Sequence, residues 1–395
     1  MKQYTYIIIG SGIIGLTIAR SLRQRNPGAK ILIIEKEEDI GYHSSGRNSG
    51  VLHAGFYYTA DSLKAQFTVA GNHAMRQYCH ENKIPVNECG KLVVANDEEE
   101  LKGLYELERR GKRNGSNVKL IDEKEAEEIE PNIKTYQKAL FSPDTASIDP
   151  KQVCAVIKEE LQRLGVEFQF KAKYLSHKDN TIKTTRGDFT GQKIINCAGL
   201  YADKVAHDFG FGKEYTIMPF KGLYLKYTKN KTDVKVNIYP VPNLKNPFLG
   251  VHYTKTVTDE IKIGPTAIPA FWRENYDGLD NFKIDELGAI TYYQTSLFFH
   301  NSFNFRDLAF EEIHKYNKKY FVGLATKMVK DIDPKGFTTF TKPGIRAQLL
   351  HKKNLALVQD FVVEGDDKSV HVLNAVSPAF TCAFPFAEFV AEKYI

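Results

Sequence analysis

His53 lies in the segment GVLHAGFYY and His252 in GVHYTKT, each beside small residues. An imidazole titrates near neutral pH, so it can take a hydroxyl proton without strong tuning. The plainer alternative for each is a histidine that only hydrogen-bonds a backbone carbonyl or a ligand, and an isolated strand histidine such as His252 is commonly of that kind. Lys221 in PFKGLY and Arg346 in GIRAQL are cations at Gly-flanked turns or strand ends. Arg346 can grip a carboxylate through two parallel N–H bonds; the alternatives for both are a surface ion pair or a contact to a cofactor oxygen. Tyr239 and Tyr253 offer hydroxyls, although strands bury many tyrosines for packing alone.

The elements that must position these groups begin at the N-terminus. Residues 4–9 form a short β-branched and aromatic run suited to a buried parallel strand. Gly10-Ser-Gly12-Ile13-Ile14-Gly15 follows at once, then an apolar-periodic helix over 16–25 that Asn26-Pro27-Gly28 stops. Residues 30–34 are a second strand, with Glu35 at its C-terminal end. Gly10 permits a tight turn, Gly12 lets backbone approach a pyrophosphate, and Gly15 lets helix and strand pack closely. The N–H groups at Ile13 and Ile14 and the helix dipole face the phosphates, and Glu35 is placed to accept from a ribose diol. An acidic residue there disfavours a 2′-phosphate, leaving FAD or NAD. The chain does not continue into further βαβ repeats. It runs instead into the polar stretch GYHSSGRNSGVLHAGFYY (41–58), which favours FAD, because a small-residue loop with hydroxyls and free N–H groups can wrap a long polar cofactor. A flexible surface loop is the alternative.

The chain has 395 residues, enough for two or three domains. A net charge of +6 without a dense Lys/Arg run argues against a nucleic-acid partner. The five cysteines are odd in number and contain no C-x-x-C pair, so neither a zinc site nor a disulfide framework is expected. No apolar run approaches the ~18 residues of a membrane span. With the first strand beginning near Tyr4, no secretory leader is expected, and the protein is expected in the cytoplasm.

The sequence resembles the D-amino-acid-oxidase-like FAD-dependent oxidoreductases, and within them the L-2-hydroxyglutarate oxidase/dehydrogenase family. The resemblance is carried by IIIGSGIIGLTIARSL, SSGRNSGVLHAGFYYTADSLKA, CGKLVVANDEEEL, FSPDTASIDP, INCAGLYAD, MPFKGLYL, GVHYTKT, IKIGPTAI, GIRAQLL and HVLNAVSPAFTCAF, in the family's order over almost the whole chain. Where the family usually has arginine this chain has Lys221, which keeps the charge but loses a bidentate grip. The resemblance implies oxidation of an L-2-hydroxy dicarboxylic acid, with hydride passing to flavin N5 and electrons then to a quinone or oxygen. It places His53 beside the isoalloxazine as proton acceptor with His252 as competitor, and Arg346, Lys221 and Tyr239 on the substrate. It implies non-covalent FAD held by the glycine turn, by Ser44, Ser45, Asn48, Ser49, Gly50 and Leu52 of the polar stretch, by Tyr174, by Ala198 and Gly199 after KIINC, and by Ser377 and Pro378 in a third segment. Lys36 and Arg47 touch its phosphates or ribose, or are simply solvated. An amine or amino-acid oxidase and a non-catalytic FAD-binding subunit are the rival readings.

The expected fold is α/β: a discontinuous Rossmann-like FAD-binding domain (1–85, 149–205, 337–395) with a second α+β substrate domain on an antiparallel sheet (86–148, 206–336). PKQVCAVIKEELQRLG reads as a helix with Val153, Val156, Ile157, Leu161 and Leu164 on one face. The NDEEE stretch at 96–100 reads as a helix start, its carboxylates on the positive dipole end. KLVVAN, LYLKYT, VNIYPVP, FLGVHYTKT and EIKIGPTAI read as strands of the second sheet. IDELGAITYYQTSLFF and EEIHKYNKKYFVGLATKMVK read as helices whose aromatics beside lysines either pack with a solvated face or rest on a membrane surface near a quinone pool.

Overall fold

The computed structural model describes residues 2–242 and 249–395; Phe248, the expected start of the FLGVHYTKT strand, lies outside the described residues. The chain divides into two compact units, one of Met1–Asn48, Pro150–Pro219 and Arg346–Ile395, the other of Ser49–Asp149 and Phe220–Ile345.

The first unit is built on the strand Gln3–Ile9. Its isoleucines 7 and 8 are fully buried, as a central parallel strand covered on both faces requires. It pairs in parallel with Ile31–Ile34 on one side and Gly187–Asn196 on the other, with Ile9 level with Ile34 and Asn196. Glu167–Gln169 extends the sheet beyond Ile31–Ile34, and Ser369–Asn374 adds another parallel partner to Gly187–Asn196. The meander through Tyr174–Lys178 and Thr181–Thr184 is antiparallel and turns where the sequence signals it, with Asp179 at φ 51° and Gly187 at φ 111°. Helices Ile13–Arg25, Pro150–Arg163 and Ala383–Tyr394 pack together in this unit. In Pro150–Arg163 the buried face is Val153, Cys154, Ile157 and Leu161, and Leu164 falls beyond the helix end and is exposed.

The second unit carries an eight-stranded sheet in the order Phe337–Phe340, Leu225–Tyr227, Ile261–Gly264, His252–Lys255, Asn237–Pro240, Lys91–Val94, Lys138–Ser142, Lys119–Asp122. Neighbouring strands run antiparallel except Asn237–Pro240 and Lys91–Val94, which are parallel. Strand alternation separates two cores. Leu92, Val94, Ile238, Tyr253 and Ile263 face one, with Phe321 and Ala325 packed on them. Val93, Leu140 and Tyr239 face the other, under Leu101, Leu104 and Leu107 of helix Glu98–Arg113. Asp97 caps that helix by accepting from the Glu100 N–H at 2.9 Å. The stretch read as one helix over EEIHKYNKKYFVGLATKMVK is two, Phe305–His314 and Lys318–Thr326, because the Asn317 side chain accepts from the N–H groups of Lys319 and Tyr320 and starts a new helix there.

Packing and the expected functional domains divide the chain differently over 49–85, over 206–219, which packs with the first unit, and over 337–345, which packs with the second. Val51–Leu52 pairs with Ala146–Ile148, which also pairs with Val86–Asn87, and this small sheet ties 49–85 to the second unit.

Candidate active site

In the first unit, close approach explains each glycine of the turn. Gly10 has φ 104°, and a Cβ there would lie 2.5 Å from the carbonyl oxygen of Cys197; at Gly15 it would lie 2.1 Å from that of Gly10. The same approach sets Ala198 against the glycine turn, with Gly199 the next residue along. Gly12 caps helix Ile13–Arg25 without a side chain, and no acidic residue stands in the first turn, so this end keeps its affinity for an anion. The Ser45 hydroxyl comes within reach and accepts from the Ile13 N–H at 2.9 Å. One Glu35 oxygen accepts from the Ser11 N–H at 2.9 Å and its hydroxyl at 2.8 Å, the other from the Glu37 N–H at 3.0 Å. The carboxylate is therefore oriented at the strand end with lone pairs remaining for a diol. A Cβ-free cradle, an anion-seeking helix end and an oriented carboxylate fit the adenosine diphosphate end of FAD.

The loop around this turn is tied to itself. Asn48 donates to the carbonyls of Ser44 and Ser45 at 3.1 and 3.0 Å, and Arg47 to that of Tyr42. Lys36 pairs with Glu37 and lies 5.7 Å from the Tyr201 ring centroid. His43, which the sequence reading passed over, meets Glu37 at 2.9 Å and, opposed by burial and joined by Lys36, holds that carboxyl down at about 2. The Tyr174 hydroxyl is taken by Asp208, so its side chain is engaged outside this turn. Ser377 is exposed and Pro378 buried ahead of helix Ala383–Tyr394. Arg346, half-buried in the strand Gly344–His351, belongs to this unit.

Ser49, Gly50, Leu52 and His53 belong to the second unit. Ser49 Oγ accepts from the Val51 N–H, and the Gly50 carbonyl from that of Ile148. Asn72, buried on helix Leu63–Glu81, donates its amide to the carbonyls of Leu52, His53 and Asp144, fixing the backbone that presents His53. No sequence signal marked Asn72.

The sheet assembles the rest. The antiparallel register Ile238↔Tyr253 sets Tyr239 directly across from His252, and their rings stack at 3.7 Å with planes 13° apart. His252 Nδ1 lies 2.9 Å from the Gly250 carbonyl, which can only accept, so Nδ1 carries the proton and Nε2 is the acceptor of the neutral ring. On the other side of Tyr239, the register Asn237↔Lys91 puts Lys91 on the same face. Its Nζ is 4.0 Å from the Tyr239 ring centroid, 5.2 Å from that of Tyr57 and 5.6 Å from that of Phe56. Lys91 is fully buried, and burial draws its ammonium from 10.5 down to about 7. His53 is held well below the ordinary histidine value, by burial first and then by the charges of Lys91, His252 and Lys64. Two imidazoles, a tyrosine and a lysine thus share one dry, aromatic-walled region.

Lys91 is the residue the sequence reading missed. Its one signal was a cation at an inward position of the KLVVAN strand. Tyr253 does not join this group, since adjacent strand residues face opposite ways and its ring lies in the other core. Lys221 has its own surroundings: it pairs with Ile268, its carbonyl accepts from the Thr266 hydroxyl at 3.0 Å, and burial lowers its ammonium while Asp277 opposes this. Lys262, also lowered by burial, stands 5.7 Å from the Tyr224 ring centroid, and Tyr224 meets His252 edge-on at 6.5 Å.

A family model described as FAD dependent oxidoreductase matches residues 5–393. The chain is 34% identical over 423 residues to the mitochondrial L-2-hydroxyglutarate dehydrogenase of Nematostella vectensis, covering 99% of this chain and 90% of that one. It is 33% identical over 403 residues to L-2-hydroxyglutarate dehydrogenase of Escherichia coli K12, covering 99% and 93%. Among solved structures it resembles L-alpha-glycerophosphate oxidase from Mycoplasma pneumoniae with FAD bound, at 20% identity and a TM-score of 0.78 over 100% and 96% of the two chains. Glycine oxidase from Geobacillus kaustophilus follows with 16% identity and a TM-score of 0.73 over 99% and 94%. These structural likenesses bear on fold.

Proposed function

Because this chain belongs to the FAD dependent oxidoreductase family, we propose that it oxidises an L-2-hydroxy dicarboxylic acid, L-2-hydroxyglutarate, to 2-oxoglutarate. FAD is its cofactor and, when bound, supplies the acceptor for the substrate's C2 hydride. The observation that carries the reading is the pairing of His53 and His252 in one buried aromatic region. A secondary alcohol keeps its hydroxyl proton at neutral pH, so its oxidation needs a nearby group able to take that proton. A buried imidazole held neutral meets the need.

We assign proton acceptance to His53: burial and the nearby charges keep its ring neutral between turnovers, so a lone pair stands ready for the hydroxyl proton, which returns to water once product has left. His252, oriented by the Gly250 carbonyl and the Tyr239 ring, presents Nε2 to the substrate as a positioned hydrogen-bonding group. Lys221, drawn down by burial and so poorly compensated, is assigned to a substrate carboxylate. Arg346 is the candidate for bidentate contact with a carboxylate, on the chemistry of its guanidinium alone.

Electrons then leave to a quinone, with oxygen as the alternative acceptor. Helices Ile284–His300 and Phe305–His314 carry Tyr292, Phe299, Phe310 and Ile313 exposed, Phe299 at 76%, a density of apolar side chains suited to the surface of a bilayer. Among the described residues no helix is long and apolar enough to cross a membrane. We propose that the enzyme works in the cytoplasm with this exposed aromatic face resting on the inner membrane surface.

The reading is tested by incubating the FAD-loaded enzyme with L-2-hydroxyglutarate and an artificial electron acceptor and measuring 2-oxoglutarate. D-2-hydroxyglutarate, L-lactate, sarcosine and glycine serve as comparisons. Product from the L-dicarboxylate alone supports the assignment, whereas turnover of sarcosine or glycine in its place overturns it in favour of amine oxidation.

A further inference from the structure

Lys91 has no role in the proposed chemistry, yet its position is costly. It is fully buried, and its Nζ has no hydrogen-bond partner among the described residues. An ammonium taken out of water without a carboxylate is among the least favourable groups to bury. Three rings partly offset that, since a cation over an aromatic face is attracted to its quadrupole. The Tyr239 ring is the nearest, at 4.0 Å.

The strand order gives this geometry a direction. Lys91–Val94, Asn237–Pro240 and His252–Lys255 are consecutive in the sheet, so Tyr239 stands in the middle, with Lys91 on one flank and His252 on the other. His53 follows the Val51–Leu52 strand, and the next turn of chain supplies Phe56 and Tyr57, which close over Lys91. The ionisable groups bearing on His53 are Lys91, His252 and Lys64; those around Lys91 are Cys89, Tyr57 and Tyr239.

We propose that Lys91 is a positioning residue of this site: its ammonium, held by the Tyr239, Tyr57 and Phe56 rings, keeps the imidazole of His53 in its neutral, proton-accepting form. The proposal rests on His53 as proton acceptor. A second positive charge close to a positive one raises the cost of creating it, and in a dry aromatic surround that repulsion is weakly screened. The sign is definite. While Lys91 is charged, protonating His53 is harder. Removing the charge makes it easier, so His53 titrates at higher pH and activity is lost sooner on acidification.

The test uses FAD-loaded enzyme with ring-labelled histidine, the His53 resonance being identified by its absence in His53→Asn. In Lys91→Met the His53 titration moves up by about one pH unit, a tenfold change in proton affinity. The acid limb of kcat/KM for L-2-hydroxyglutarate moves the same way, and Lys91→Arg, which keeps the charge, restores the wild-type profile. An unchanged His53 titration in folded Lys91→Met overturns the proposal. The resonance is read without turnover, so a failure of the substrate assignment leaves this arm intact and separable. Should Lys91→Met not fold, the wild-type enzyme labelled at both lysine Cε and the histidine ring decides: a Lys91 signal that shifts as His53 takes its proton supports the coupling, and a Lys91 signal blind to that step overturns it.

Discussion

Lys91→Met also makes a thermodynamic prediction that separates a functional lysine from a structural one. The unfolded chain holds this ammonium at the ordinary 10.5, and the folded protein at about 7, because burial disfavours the charge. That interval corresponds to about 5 kcal/mol between charged and neutral amine. Since the folded value is the lower one, the unfolded state binds more protons between the two. The penalty is therefore nearly complete at pH 7 and fades as pH rises toward 10.5. Methionine fills much the same volume and carries no charge. It forfeits the cation–π attraction of the three rings, about 2 kcal/mol in all for a desolvated cation. The net expectation is a variant more stable than wild type by about 2–3 kcal/mol at pH 7, falling below about 1 kcal/mol at pH 10. Urea unfolding of both proteins at matched saturating FAD and at pH 7, 8.5 and 10 measures the difference, in which the tyrosines and cysteines common to both proteins cancel. A variant that is less stable by the same amount at every pH would refute the reasoning and make Lys91 an ordinary packing residue.

Three further outcomes follow from the same geometry. His53→Asn lowers the rate of flavin reduction by about 10²-fold or more with little change in FAD content, as expected for loss of a general base; a rate within threefold of wild type transfers the role to His252. Gly15→Ala places a methyl 2.1 Å from the Gly10 carbonyl oxygen, so the protein should purify with little bound flavin, measured as FAD released per chain; full occupancy would contradict the cradle. Lys221→Ala raises KM for L-2-hydroxyglutarate more than it lowers kcat, and Lys221→Arg recovers binding; an unchanged KM removes Lys221 from the substrate.

The nucleotide end of the fold was legible because its determinants are local. Gly15 and Glu35 act on atoms at or beside one βαβ unit, so spacing alone predicts their geometry, whereas Gly10 and Gly12 meet Cys197 and Ser45 from elsewhere in the chain. The His252–Tyr239 stack needed a register between two strands, which one sequence does not supply, although His252 and Tyr253 are adjacent and could never share a sheet face. Lys91 was illegible for a stronger reason. In KLVVAN it is a single polar residue in a strand, and only Tyr239, far along the chain, and the Phe56-Tyr57 turn reveal what surrounds it. The break at Asn317 was missed because continuous helical periodicity hid a capping side chain. The boundary near residue 49 was missed because short strand pairing, rather than the glycine motif, determines where 49–85 packs.

In the proposed reaction the C2 hydride of an L-2-hydroxy dicarboxylate leaves for the flavin. The most direct measurement is anaerobic mixing of the FAD-loaded enzyme with L-2-hydroxyglutarate while following the flavin's visible absorbance, with no electron acceptor present. Rapid bleaching by the L-enantiomer, with the D-enantiomer inert, is the predicted result. A flavin that stays oxidised with L-2-hydroxyglutarate, or is bleached only by an amine such as sarcosine or glycine, would contradict it.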